Sequence, residues 1–585
     1  MLFMAITKTK FINYTRCPYF FHLDNLSRDD LNSKVSSQQY FDEEYKFNSD
    51  ISDSQLEVML PYYKKVEEIA SEIAKNYFDG SFSFAYDTKE QECFECRING
   101  NLYACYVDIY NETLDGSINI IEVKATTSDK FIDTKFFQKD SRGIYSLLEI
   151  NDRVIKKLLN RFDNCGRYIY DIAIQRYIIE RDLYKNGLYD LIDTTRYFLA
   201  VLNSDYVFNG IYENGEPVYS KDENGNDIII FIDVTDITKL YLDIIDKQRK
   251  NLEQIINENN NDTKVGPYCE YKKITECKHK DFCFRNLPND NSVFSYIDSH
   301  LGFFDENNYK LSIYDLINNK QYSMLDVPMS YLKRKKNIIQ REVVETNKIY
   351  YNLNKIKSGV ELIKYPIYHL DFETFPCPLP RFKGERCYDQ SVFQFSLHIE
   401  DEQGCDKENS HYDFLAKTNN DEREQLVKHL CSLINREGTV LVYNSNFEKN
   451  RLSELANIFP EYKEKLEFIN SMIFDLLDII KSNKKLYMSL GYSEEESSMF
   501  NYYHKDMNGS FSIKKILPLF SDLSYKQLNV SNGVEALVTY SKFDKMNKDE
   551  YTEAYNALVE YCKQDTWAMV EILHGLQELS KNVKL

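Results

Sequence analysis

Three groups of residues in this chain have the types and spacing for metal or hydrolytic chemistry. In INIIEVKA, Glu122 and Lys124 follow an apolar run that ends at Asp108, 14 positions before Glu122. Strand side chains alternate, so Glu122 and Lys124 share a face with Ile118 and Ile120, and a hairpin through NETLDGS brings Asp108 beside Glu122. Hard oxygen donors suit Mg²⁺ or Mn²⁺, which polarises a phosphoryl oxygen and lowers the pKa of the attacking water. Lys124 has the charge to orient that water and offset the phosphate.

A second group lies in GPYCEYKKITECKHKDFCF, where Cys269, Cys277 and Cys283 fall within 15 residues. Thiolates bind Zn²⁺ or iron–sulfur clusters, and both usually take four ligands, so a fourth must come from elsewhere. Cys93 and Cys96 form a CxxC in a strand-like segment without a second pair, which carries no metal expectation. The third group is acidic. Asp371 and Glu373, in YHLDFETF, share one face at the end of an apolar strand, where two carboxylates repel unless a cation sits between them. Tyr561 and Asp565, four apart in LVEYCKQDTWAMV, share one helix face. Between them VYNSNFEKNRL sets Asn446 before a helix and Glu448 in its first turn, and Asp475 in MIFDLLDII is a secondary acid.

These residues must be positioned by more than one folding unit, because 585 residues correspond to two to four domains. With 43% hydrophobic and 28% charged residues the chain reads as globular, and the net charge of −20 argues against a polybasic coat for nucleic acid while leaving carboxylate-rich enzymes open. No leader and no apolar run long enough to span a membrane are visible, which leads us to expect a cytoplasmic protein whose 13 cysteines are mostly reduced. Apolar periodicity predicts a helix over 62–78, strands in LYACYVDIY and INIIEVKA, and helices through about 260. A second α/β pattern begins at Tyr365, with strands PIYHLDFETF and TVLVY and helices near 447–458, 512–520 and 552–578. The expected division is 1–290, a connector at 291–360, and 361–585. Within the connector, Lys333, Arg334, Lys335 and Lys336 suggest either a solvated helix face or a phosphate-tracking surface, and Lys514 and Lys515 could likewise meet a phosphate or simply start a helix.

Asp108, Glu122 and Lys124 together resemble the PD-(D/E)xK nuclease core, and Gln175 in DIAIQRYIIE is similar to the glutamine of RecB-like nucleases. Tyr177 follows Gln175 too closely to be carried over, and Glu67 and Glu68 are only candidates for an early-helix acid. Cys17, in TRCPYFF, matches the lone first cysteine of the iron–sulfur RecB-like nucleases, namely the AddB type and the fourth Cas protein of CRISPR adaptation modules. The resemblance implies a cluster, 4Fe–4S in type with zinc as the alternative, held by Cys17, Cys269, Cys277 and Cys283.

The order DxE, asparagine-plus-acid helix, YxxxD resembles the DnaQ-like 3′→5′ exonucleases. It implies an RNase H-like fold in which Asp371, Glu373, Glu448 and Asp565 hold two Mg²⁺ or Mn²⁺ about 4 Å apart and Tyr561 orients water. The second-motif acid is usually Asp; here it is Glu448. The segments FKGERCYDQSVFQFSLHIED and GSFSIKKILPLF look like an uncharacterised bacterial family, known only as a domain of unknown function, that joins the two domain types. The expectation is thus an α/β protein, a PD-(D/E)xK domain plus an RNase H-like domain, cutting DNA in repair, phage defence or CRISPR adaptation, with protein partners from those settings. RNA as substrate and a non-catalytic end-binding or scaffold role are the alternatives.

Overall fold

The computed structural model describes residues 5–29, 53–258, 264–269, 277–299 and 302–581, a mixed α/β chain. It forms two compact units. One comprises Met1–Lys264, Tyr268–Cys283 and Pro376–Asp389; the other comprises Val265–Pro267, Phe284–Phe375 and Gln390–Leu585. The stretch 291–360, read from sequence as a connector, thus belongs to the second unit. Its charged run conceals a helix, Lys335–Thr346, that buries Asn337, Gln340 and Val343, and Gln340 Nε2 donates to Tyr503 Oη at 2.9 Å.

The first unit is built on seven strands: β1 Ser81–Phe84, β2 Ile109–Glu112, β3 Ile118–Thr127, β4 Phe137–Lys139, β5 Tyr145–Leu147, β6 Arg196–Leu202 and β7 Ile229–Asp233. Their order is β1-β2-β3-β6-β7-β5-β4, with β3 and β6 parallel. Being central, β3 is buried on both faces, which is why it reads as a nearly continuous apolar run interrupted only by the charges of its chemistry. Helices α1 Lys8–Arg16, α2 Asp53–Ala74, α3 Gly166–Lys185 and α4 Thr235–Asn257 cover the sheet. The helix expected over 62–78 starts earlier and ends at Ala74.

The apolar run LYACYVDIY is not one strand. Asn101–Val107 pairs with Glu92–Ile98 in a separate three-stranded sheet, the chain breaks at Asp108, and Ile109–Glu112 then joins β3 with Ile109 opposite Ile121. Asp108 sits where one strand changes sheets.

The main sheet of the second unit has five strands: β8 Ile367–Pro376, β9 Gln390–Glu400, β10 His411–Leu415, β11 Thr439–Val442 and β12 Ile473–Asp475. Their order is β10-β9-β8-β11-β12, with β8, β11 and β12 parallel. Helix α5 Asn446–Ile458 follows β11, and the long helix α6 Lys548–Lys581 packs on β9. The helix expected over 512–520 is one α-turn, Ile513–Ile516, continued by a 3₁₀ turn, Leu517–Leu519, because Pro518 cannot donate to an α-helical ladder. No described helix is long and apolar enough to cross a membrane.

Polar clamps fix the register of α6 on the sheet. Gln394 Nε2 donates to Leu558 O at 3.0 Å, and Thr566 Oγ1 lies 2.8 Å from both Ser396 Oγ and His398 Nδ1. His369 Nε2 and His574 Nε2 take the two oxygens of buried Glu400, at 3.1 and 2.8 Å. Replacing Thr566 by the isosteric Val strands His398 Nδ1 and leaves Ser396 Oγ with His411 Nε2 alone. Thr566→Val should therefore destabilise the second unit by about 1–3 kcal/mol. Urea unfolding followed by fluorescence of Trp567, the single tryptophan and a ring neighbour of His398, measures it directly.

Candidate active sites

The ExK centre of the first unit is a buried charge network. Lys124 Nζ lies 2.5 Å from Glu122 Oε1 and 2.5 Å from Asp171 Oδ2, and Lys8 Nζ lies 2.6 Å from the same Glu122 oxygen. Gln175 Nε2 donates to Glu122 Oε2 at 2.6 Å. Burial drives the Glu122 carboxyl up, but the ammonium groups of Lys124 and Lys8 outweigh it and hold the group ionised, below its ordinary range. Half-buried Asp108 lies alongside and accepts from Val123 N at 2.8 Å. Both oxygens of Glu122 thus already have partners, so an incoming divalent ion must share them with Lys8, Lys124 and Gln175.

Lys8 and Asp171 were missed by sequence reasoning. Asp171 precedes Gln175 by four residues and so shares its helix face, a signal that was available; nothing local marks Lys8. Tyr177 lies elsewhere, donating to Asp246 Oδ1 at 2.6 Å. Glu67 is buried on α2, and Glu68 pairs with Lys65 at 2.7 Å.

The cysteine segment meets the N-terminal helices. Lys278 pairs with Asp24 at 2.6 Å, and the His279 ring meets Phe20 edge-on at 4.8 Å between centroids. Cys17, at the C-terminus of α1, interacts electrostatically with Cys277, and burial pushes its thiol pKa up. Tyr268 feels Cys17, Cys269 and Cys283, so all four cysteines share one neighbourhood. Cys93 and Cys96 sit opposite Tyr106 and Tyr103 on a strand; three apart, they face opposite sides.

In the second unit, β8 presents Asp371 and Glu373 and α6 presents Asp565. Among the described residues these three are the one group of His, Cys, Asp or Glu whose donor atoms lie within 4.8 Å of one another. Burial raises all three carboxyls, and mutual repulsion adds to it for Asp371 and Glu373, the latter reaching about 8. The Tyr561 hydroxyl lies close enough to Glu373 and Asp565 to draw both carboxyls down against the burial that raises them. Tyr525, which sequence reasoning missed and which lies 40 residues from its partner, donates to Asp565 Oδ1 at 2.6 Å. Cys562 Sγ reaches Asp371 Oδ2 at 3.6 Å, and Lys514 Nζ lies over the rings of Tyr525 and Tyr561 at 5.3 and 5.7 Å.

Glu448 stands near this group but outside it. It is buried in the first turn of α5, its Oε2 has no hydrogen-bond partner, and burial lifts it to about 8. Asp475 accepts from Asn444 N and Ser445 N at 3.0 and 2.8 Å, so it builds the turn ahead of Glu448. Of the basic run, exposed Lys333, ahead of the helix, donates to Asn308 Oδ1 at 3.1 Å, and exposed Lys335, in its first turn, pairs with Glu495.

Residues 368–512 match the family model for a domain of unknown function, DUF2779. The chain is 30% identical over 248 residues to the uncharacterized protein MG366 of Mycoplasma genitalium, covering 39% of this chain and 34% of that protein. It is 24% identical over 329 residues to the uncharacterized protein UU173 of Ureaplasma parvum, covering 51% and 45%, and 28% identical over 239 residues to the MG366 homolog of Mycoplasma pneumoniae, covering 37% and 33%. The chain therefore spans between a third and a half of these relatives' length. No solved structure matches it.

The raised carboxyls carry a sign that can be measured. Glu373 and Glu448 hold protons up to about pH 8 in the fold, whereas their ordinary value is 4.5. Their stabilising contribution is complete below 4.5 and is lost as pH rises through 8, because the folded state then binds more protons than the unfolded one. In EDTA the Tm read from Trp567 should fall across that window, and Mn²⁺ should flatten the slope by replacing protons with metal charge; a Tm that climbs with pH contradicts a protonated cluster.

Proposed function

We propose that this protein is a metal-dependent nuclease acting on DNA, with a RecB-like PD-(D/E)xK centre in the first unit and a DnaQ-like 3′→5′ exonuclease centre in the second. The observation that carries the proposal is the convergence of Asp371, Glu373 and Asp565 within 4.8 Å, with the Tyr561 hydroxyl beside two of them. Carboxylates this close, with Asp565 buried, Asp371 and Glu373 half-buried and Lys514 drawing Glu373 and Asp565 down, have the donor chemistry for divalent ions. When bound, Mg²⁺ or Mn²⁺ would polarise the phosphoryl oxygen and activate water. The chain's own part is to hold Asp371 and Glu373 on one strand face, to fix Asp565 through Tyr525, and to offer the Tyr561 hydroxyl for orienting water. The five-stranded sheet crossed by one long helix bearing Tyr561 and Asp565 supports the RNase H-like fold.

In the first unit, Lys124 beside Glu122, with Gln175 on the other carboxylate oxygen, supports the PD-(D/E)xK assignment. The shared neighbourhood of Cys17, Cys269, Cys277 and Cys283 supports an iron–sulfur cluster. Zinc, held by the same four thiolates, is the alternative. Cytoplasmic DNA repair, phage defence or CRISPR adaptation, with protein partners drawn from them, would use such an enzyme. The rival is a non-catalytic end-binding scaffold or an RNA exonuclease, and the position of Glu448 outside the carboxylate group favours the first of these.

Single- and double-stranded DNA and RNA, labelled at either end and incubated with Mg²⁺ or Mn²⁺, separate these readings. Asp371→Ala should reduce 3′→5′ degradation more than about 100-fold, since even an outer partner of a metal ligand is worth 10–100-fold. Lys124→Ala should remove a separate activity. Intact substrate under all conditions supports the scaffold instead.

The cluster is tested apart from activity. Anaerobically purified protein should be brown and contain iron and sulfide, and Cys17→Ser should lower both and destabilise the first unit. Stoichiometric zinc without iron would replace the cluster by a zinc site.

A further inference from the structure

The central strand of the ExK centre changes character immediately after Lys124. Its parallel register with β6 runs from Asn119 opposite Arg196 to Lys124 opposite Val201 and then jumps, so that Thr127 faces Leu202. Ala125 and Thr126 therefore form a bulge. On the other edge of β3 the last pair with β2 is Ile109 opposite Ile121. Beyond it two side chains take backbone groups of β3: Asp108 accepts from Val123 N at 2.8 Å, and Tyr388 Oη donates to Ala125 O at 2.5 Å. The Thr126 hydroxyl in turn accepts from Lys130 Nζ at 2.5 Å. A bulge re-aims the side chains beside it, and it holds its shape when its unpaired backbone groups find partners.

Tyr388 lies 263 residues along the chain from the carbonyl it holds. It belongs to Pro376–Asp389, which leads from β8 to β9 and is part of the first unit. Phe208 pins that segment by accepting from Gly384 N and donating to Glu385 O, both at 2.9 Å, and Tyr219 Oη donates to Pro380 O at 3.1 Å. Tyr388 itself has a φ of +64°, in the left-handed region that suits glycine or asparagine and strains a bulky residue. Its N–H donates to Cys377 O at 2.9 Å, which ties the strained turn in place. Strain of this kind marks positions where the side chain has a task. Here the side chain meets the carbonyl that follows Lys124, and burial pushes the hydroxyl pKa well above its ordinary value, so it stays a donor.

We propose that Tyr388 is a positioning residue of the ExK centre: by holding Ala125 O it locks the bulge that sets Lys124 against Glu122. The catalytic consequence rests on the nuclease reading of the first unit. Tyr388 acts only through the backbone of β3. Without its hydroxyl the backbone at 125–126 relaxes, and Lys124 loses the fixed geometry that puts Nζ 2.5 Å from Glu122 Oε1 and 2.5 Å from Asp171 Oδ2.

Two matched variants of the full-length chain test this. Tyr388→Phe and Tyr219→Phe each delete one phenol that donates to a backbone carbonyl, and the second loosens Pro376–Asp389 while leaving the bond to Ala125 O intact. In the metal-free protein, hydrogen–deuterium exchange over 122–128 should be at least about tenfold faster in Tyr388→Phe and unchanged in Tyr219→Phe. With the second centre silenced by Asp371→Ala, Lys124-dependent cleavage of DNA should lose at least about tenfold in kcat, with KM unchanged, in Tyr388→Phe alone. Equal effects of the two variants would show that Tyr388 merely anchors its segment and overturn the inference. Unchanged exchange in Tyr388→Phe overturns it too, as does faster exchange with unchanged kcat. If no Lys124-dependent cleavage occurs with Tyr388 intact, the nuclease reading of the first unit fails, and the exchange comparison by itself decides whether Tyr388 holds the bulge.

Discussion

A carboxylate taken out of water must be neutralised, paired or protonated, and both units are organised around that requirement. Glu122 is completely buried, and the first unit answers with two lysines and a glutamine amide on its oxygens. Asp371, Glu373 and Asp565 have no comparable set of cations, and their carboxyls rise instead. One centre meets its burial with ammonium groups and stays ionised; the other meets it by holding protons.

The scaffolds serve these charges. In the first unit, β3 must be central to bury Glu122, and the strand switch at Asp108 lets an acid arrive from a second sheet. In the second, a long helix must bring Asp565 against a strand, and Gln394, Ser396, His398 and Glu400 hold its register. A helix slip of one residue would rotate Asp565 by about 100° away from Asp371. The polar clamps therefore do for the second centre what α1 does for the first, fixing a side chain that lies far away in sequence.

Charged and polar residues near both centres divide between scaffold and chemistry according to neighbours that sequence spacing does not reveal. Asp475 looks like a ligand beside an apolar strand but spends its oxygens on the turn before α5. Tyr177 looks like the partner of Gln175 but bonds to Asp246 on another helix. Tyr525 has no motif at all and yet donates to Asp565 Oδ1.

By itself the sequence determined which residues share a face. Alternation paired Asp371 with Glu373 and Glu122 with Lys124, helical spacing paired Tyr561 with Asp565, and these follow from backbone periods of 2 and 3.6 residues alone. Tertiary structure decided everything that depends on distance across elements. It placed 291–360 in the second unit, brought Lys8 from the start of the chain to Glu122, set Cys17 beside Cys277, and left Glu448 outside the three-carboxylate group. Local periodicity orients a side chain relative to its own element, whereas the charge that finally faces it comes from whichever element packing brings near, and no pattern within a few residues encodes that.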